Sequence, residues 1–331
     1  MTTTDLNVTP KHDVPLWSET RWNGCWNPEQ GVGLYIHAGR FRGNLDLWWA
    51  QTVVYLPDGR LAVDRPFGPD ANPAGVRVGN LDLTITESGW TASYDGACEL
   101  TTIAALAAAP RGSSAPVVRV RWEIGAESVS PPWDPFAGQP TMAFAGDAHV
   151  QQASRTSGRL IVGDSEYSLD GVGFKDHSSG ARSFEHWHSH AFVQAHLPHG
   201  VLHALTLTGE DGSTTTLGAM FRDGQQVGTI TAFDLPMLRS RFGEPEALPL
   251  SLTVAGRDPI ELQAELIHAL PMTISEDNDN INGIDWELAG HPVVLVEGIG
   301  RFTVPGQGVG YGMLERSARR SLLTRAVPPV V

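Results

Sequence analysis

From Gly31 onward the chain is a succession of short apolar or alternating runs cut by Gly, Asp and Pro turn signals. This punctuation points to antiparallel sheet and leaves little room for a helical architecture. Asp46–Leu56 is apolar, is closed by Pro57-Asp58-Gly59 and returns over Arg60–Asp64, a hairpin by its turn chemistry. Leu81–Glu87 and Trp90–Tyr94 flank Ser88-Gly89 in the same way, and Val117–Ile124 (VVRVRWEI) alternates as a half-buried strand does. Ala126–Gly138, with Pro131, Pro132 and Pro135, reads as a long loop, after which strands resume at His149–Arg155 and Gly158–Val162. Ser183–Gln194, Val201–Thr208, Thr214–Phe221, Gln226–Phe233, Leu248–Val254 and Ile260–Ala269 repeat the style, separated by turns such as Asp211-Gly212 and Asp223-Gly224. Strands at such regular spacing suggest a meander closing into a barrel. One helix is expected, over residues 313–325.

At 331 residues the chain exceeds what one small core holds, so two domains are expected, 1–170 and 171–331, with the junction between Ser165 and Gly180. A formal charge of −14 repels phosphate backbones and anionic bilayers, which argues against nucleic-acid partners and a membrane surface. Cys25 and Cys98 form no disulfide framework or zinc pattern; they read as buried free thiols, with a single bridge as the alternative. The N-terminal residues lack the pattern of a signal peptide, and no run is long enough for a transmembrane helix. The expected location is cytoplasmic; the sequence leaves the oligomeric state open, with a homodimer as one option.

The segment Gly158–Arg182 reads GRLIVGDSEYSLDGVGFKDHSSGAR. It resembles the signature of the carotenoid 1,2-hydratase/AttH-like superfamily, a Gly-x-Gly-aromatic step followed by Asp-His-x-x-Gly-x-Arg. Gly171, Gly173, Phe174, Asp176, His177, Gly180 and Arg182 match it, and Ser179 stands where the superfamily often has Trp. Trp48-Trp49 ahead of the first hairpin, His149–Gln152, and Gly310-Tyr311-Gly312 near Glu315 extend the likeness. The resemblance implies an all-β chain of two lipocalin-like antiparallel barrels with little helix. It also implies an enzyme on a hydrophobic small molecule (terpenoid, steroid or polyketide-like), such as a hydratase acting on a C=C bond, with no organic cofactor. A non-catalytic binder of an apolar ligand, an isomerase or a cyclase would suit the same fold.

Asp176 and His177 are the leading candidates for chemistry, because burial in an apolar cavity would keep the carboxyl neutral and make it a proton donor. The structural alternative is that Asp176 caps a turn and pairs with Arg182. Arg182 would otherwise hold the loop, and His188 could position water. His186, His188 and His190 alternate in Glu185-His-Trp-His-Ser-His, so on a regular strand they would share a face as ligand-lining groups or as a metal site. The spacing is similar to that of cupin metal sites, without the downstream Glu. Trp17, Trp22, Trp26, Trp48, Trp49, Trp133 and Trp187 could line an apolar cavity, and Trp48, Trp49, Trp133, Trp187 and Tyr311 are the candidates for contact with the ligand, although large aromatics commonly fill barrel cores. Gly306–Gly312 lacks the strand–helix context of a dinucleotide fingerprint and reads as a barrel corner. Glu276, Asp277 and Asp279 read as a solvated acidic loop rather than a calcium site. P-loop, nucleophile-elbow and zincin motifs are absent from the sequence.

Overall fold

The computed structural model describes residues 14–72, 74–109, 115–139, 145–239, 246–275 and 279–324. The N-terminal arm up to residue 13, Glu276 and Asp277 of the acidic loop, and residue 325 lie outside the described residues. Two compact units emerge. The first holds the chain to Thr101, Ala115–Ser183 and the turn Asp223–Gln225; the second holds Thr102–Ser114, Phe184–Arg222 and Gln226–Val331.

The first unit contains β1 (Trp17–Asn27), β2 (Val32–Arg40), β3 (Leu47–Tyr55), β4 (Arg60–Asp64), β5 (Phe67–Pro69), β6 (Gly75–Val78), β7 (Leu81–Thr86), β8 (Gly89–Thr102), β9 (Val117–Ser128), β10 (Ala148–Val162), β11 (Ser165–Ser168) and β12 (Gly171–Ala181). Eight of these close a circuit, β1-β2-β3-β4-β8-β9-β10-β12, because β9 bridges β8 to β10 and β12 returns antiparallel to β1. Alternation directs Leu34, Ile36, Trp48, Trp90 and Trp122 into one fully buried cluster, which also takes both cysteines. No bridge joins Cys25 and Cys98.

The second unit contains β13 (Trp187–Leu197), β14 (Gly200–Gly209), β15 (Thr214–Arg222), β16 (Gln225–Asp234), β17 (Glu246–Val254), β18 (Ile260–Ile274), β19 (Asn280–Asn282), β20 (Val293–Val304) and β21 (Gly308–Arg319). It closes in the same way: β17 pairs with β18, and β21 returns to β13. The chain is therefore nearly all-β, with two lipocalin-like antiparallel barrels, as the resemblance implied. Each barrel's closing strand opens on the same step, Gly171-Val172-Gly173-Phe174 in β12 and Gly308-Val309-Gly310-Tyr311 in β21. The glycine is required at both places. A Cβ on Gly171 would lie 2.1 Å from the Trp26 carbonyl oxygen, and one on Gly310 would lie 2.2 Å from that of His196.

Two expectations are corrected. The junction falls after Ser183 rather than at 170/171, because β12 is hydrogen-bonded into the first barrel between β1 and β10. The helix expected over 313–325 is instead the end of β21 and a 3-10 turn at Arg320–Leu322. The helix-favouring Met313-Leu314-Glu315-Arg316 yields to ladders on both edges and burial on both faces. A short helix stands elsewhere: α1 (Ile103–Ala108), capped by Thr102, follows its Ala-rich sequence and hydrogen-bonds through Leu106 O to Ile284 N.

Candidate functional site in the first barrel

Strand pairing aligns Gln151, Asp176, Trp22, His37 and Gln51 in one row across β10, β12, β1, β2 and β3. The neighbouring row on this face runs His149, Ser178, Thr20, Gly39 and Trp49, and the row on the other side includes Phe174 and Tyr35. The face is thus a patch of aromatic rings around a few polar groups. Trp22 meets Tyr35 edge-on at 6.0 Å and Phe174 at 6.4 Å, and His37 meets Trp49 edge-on at 5.0 Å.

Asp176 lies at the centre, 8% exposed. Its Oδ2 pairs with Nε2 of His149, its Oδ1 accepts from Ser178 Oγ at 3.1 Å, and Phe136 lies against the His149 ring at 5.1 Å. Burial alone would raise the carboxyl's pKa. The charge and hydrogen bond of His149, with the charge of Arg182 behind them, outweigh burial and hold it below the usual carboxylate value. Asp176 is therefore an ionised anchor for His149, and the expected neutral proton donor is not what this environment makes. His37 is pushed down to about 3, chiefly by burial, so it is a neutral imidazole; its Nδ1 lies 2.9 Å from Tyr35 Oη.

The patch also holds polar atoms that no group among the described residues satisfies. Nε1 of Trp22, Nε1 of Trp49 and both amide atoms of Gln151 are buried with no hydrogen-bond partner among the described residues. Buried donors and acceptors are costly to leave unmet, and these four atoms share one face of the sheet.

The other expected site residues are dispersed. His177 follows Asp176 on a strand and so faces the opposite way. It is 3% exposed, with Nε2 3.0 Å from Glu19 Oε1. Glu19 also accepts from Arg40 Nε at 2.8 Å, and Arg40 stacks over Trp48 at 4.9 Å from the ring centroid. His177 and Trp48 therefore belong to the barrel interior and not to the Asp176 face. Arg182 donates from Nε to the Ala145 carbonyl at 3.1 Å, so it holds the neighbouring segment, and its charge acts on Asp176. Trp133 is half-buried and exchanges backbone hydrogen bonds with Gln151 at 2.8 and 2.9 Å.

His186, His188, His190, Trp187 and Tyr311 lie in the second unit. The shared face expected for the three histidines is lost. His186 precedes β13, and the pairing of β13 with β14 shifts between Trp187 and Ser189, so His188 falls in an irregularity. No group of three or more metal-type side chains gathers among the described residues. His188 Nδ1 lies 3.2 Å from its neighbour Ser189 Oγ, while His190 pairs with Glu315 at 3.0 Å. Tyr311 is half-buried opposite His196. Sequence reasoning missed His149, Gln151, Tyr35 and His37 as site residues. Only the strand register joins them, although Asp176 and an outward count of alternate residues would have reached Phe174 and Ser178.

A family model described as a domain of unknown function, DUF7064, matches residues 2–320. No curated protein matches the sequence at a significant level. Among solved structures, an AttH-like protein from Nitrosomonas europaea is 15% identical over 91% of this chain and 92% of its own, with a TM-score of 0.59. CghA bound to Sch210972 is 11% identical over 94% and 90%, TM-score 0.56. Kievitone hydratase from Nectria haematococca is 10% identical over 92% and 89%, TM-score 0.52. The fold is thus the one that the Gly158–Arg182 signature pointed to.

Proposed function

The chain belongs to the DUF7064 family, whose description carries no activity, and we propose that it is an acid–base enzyme acting on a hydrophobic small molecule, of the kind that adds water to a C=C bond. The observation that carries this reading is the His149–Asp176 pair, set among Trp22, Tyr35, Phe136 and Phe174 beside the unsatisfied Trp22, Trp49 and Gln151 groups. Rings of this kind bind an apolar skeleton, and their faces stabilise a developing cation. Two indole N–H groups and an amide would orient a hydroxyl or carbonyl on that skeleton. Similarity in fold to a protein named as a hydratase points the same way.

In this reading His149 moves the proton, and Asp176 fixes its orientation and stabilises the imidazolium. Protonated His149 delivers its proton to one alkene carbon, leaving the positive charge on the other. Water adds to that carbon and returns a proton to His149, so the catalyst ends as it began. His37, neutral and tied to Tyr35, contributes a dipole and no charge.

The test is incubation of the protein with a panel of isoprenoid, steroid and polyketide-like alkenes in D2O, with products read by mass spectrometry. Gain of one D2O, with one deuterium on carbon, is the expected result. His149→Gln and Asp176→Asn should lower kcat by about 10²–10⁴-fold. Turnover that survives His149→Gln would sink the proposal. An alkene that binds wild type and Asp176→Asn equally, with no product from either, would identify a non-catalytic container.

A further inference from the structure

The second barrel carries a hydrogen-bonded chain of its own. Its strand register places His190 directly opposite Ser317 across β13 and β21, with Glu315 two residues along β21 and hence on the same face. His190 Nδ1 lies 2.8 Å from Ser317 Oγ, and His190 Nε2 lies 3.0 Å from Glu315 Oε1. Trp187 Nε1 donates to Ser317 Oγ at 3.0 Å.

These contacts give the chain a direction. An indole N–H can only donate, so Trp187 occupies a lone pair on Ser317 and leaves its hydroxyl proton to point at His190 Nδ1. The other imidazole nitrogen then carries the proton given to Glu315. A hydroxyl, a base in reach of it and a carboxylate that orients the base are the three parts of an activated nucleophile, which is identified by geometry and not by its place in the sequence. Ser317 is 1% exposed, beneath the half-buried Trp187 and His190. Trp187 stacks edge-on against both His190 (5.2 Å) and Phe184 (5.4 Å), which provides an aromatic wall beside the hydroxyl.

We infer that Ser317 is the nucleophile of a second site, activated by His190 and Glu315, and that its substrates are carboxylic esters or thioesters with an apolar acyl group. Ser317 Oγ bonds to the carbonyl carbon, its proton passes to His190 Nδ1, and the carbonyl π pair moves to oxygen. Collapse breaks the bond to the leaving alcohol or thiol, which takes the proton from His190. Water then repeats the sequence on the acyl-serine, freeing the acid and restoring the hydroxyl.

A fluorophosphonate, which phosphonylates activated serines with loss of fluoride, reads this chemistry without knowledge of the natural ester. One phosphonyl group per chain, mapped to Ser317 by peptide mass spectrometry, is expected. It should be absent in Ser317→Ala and form about tenfold or more slowly in Glu315→Gln, which keeps the shape but not the charge. Circular dichroism of each variant separates loss of chemistry from loss of fold. Asp176→Asn should label at the wild-type rate, so failure of the proposal for the first barrel and failure of this one remain distinct. No adduct on the folded wild type, or an adduct that persists in Ser317→Ala, overturns the inference.

Discussion

Replacing Glu19 with Gln is the most direct probe of what His177 does. Glu19 is fully buried, accepts from Arg40 Nε at 2.8 Å, lies 3.0 Å from His177 Nε2 and has Arg21 at 3.8 Å. Burial would raise its pKa, yet His177, Arg21 and Arg40 together hold it below the usual value, so the carboxylate is charged in the native barrel. The change to Gln keeps the shape and one acceptor, but leaves Arg21 (1% exposed) and Arg40 (8%) without their shared counter-charge. Breaking a buried ion pair from one side costs about 3–5 kcal/mol, and the retained hydrogen bonding places this variant near 3. All the tryptophans except Trp187 and Trp286 lie in the first unit, so indole fluorescence in a urea titration reports chiefly on its unfolding. Because the folded pKa is depressed, the native ionised form stabilises the barrel fully above the unfolded value of about 4.5. That stabilisation is lost as pH falls through the folded value, so the difference between wild type and variant should shrink in acid. A Glu19→Gln protein within about 1 kcal/mol of wild type at pH 7 would refute the structural assignment of His177, since a mispaired arginine cluster cannot be that cheap.

Other consequences follow from the same geometry. His37 is neutral in the fold down to about pH 3 but titrates near 6.5 when unfolded. The unfolded chain therefore binds the extra proton between those values, and stability should fall by about 1.4 kcal/mol per pH unit on acidification, a slope that His37→Asn removes in denaturant titrations across that range. Trp48→Ala should cost about 3–5 kcal/mol in the same titration, because it empties a fully buried position. Gly171→Ala should destabilise the first barrel by about 1–3 kcal/mol, read by melting, since the new methyl meets the Trp26 carbonyl. Cys25, its thiol raised to about 12 by burial, and Cys98 should both resist a disulfide reagent until denaturant is added.

The barrels were legible because their information is local. Pro57-Asp58-Gly59 and Asp223-Gly224 announce turns by backbone chemistry alone, and alternation in Val117–Ile124 assigns its inward face without knowledge of a partner. The domain junction was not legible for the opposite reason. What assigns β12 to the first barrel is the pairing of Ala181 with Trp17, a contact that only closure of the sheet creates. Part of the same limit explains the expected terminal helix: Met313–Arg319 has good helical propensity, and its strand conformation depends on β20, the preceding arm of its own hairpin, and on β13, which is distant in sequence.

The candidate site divides along that line. Asp176 could be singled out from its signature, but adjacency in sequence nominated the wrong partner. Asp176-His177 look like a pair on paper, and a strand sends consecutive side chains to opposite faces, so His177 meets Glu19 inside the barrel. The imidazole that does reach Asp176 is His149, on β10, where it is set opposite Ser178. The charge state of Asp176 depended on the same hidden register. Burial, which the reading of Asp176 as a neutral donor assumed, favours a neutral acid; the fold adds the charge and hydrogen bond of His149, with the charge of Arg182 behind them, and these reverse the outcome. The chemistry assigned to the site moves accordingly, from a carboxylic acid that gives up its proton to a carboxylate that holds the proton carrier in place.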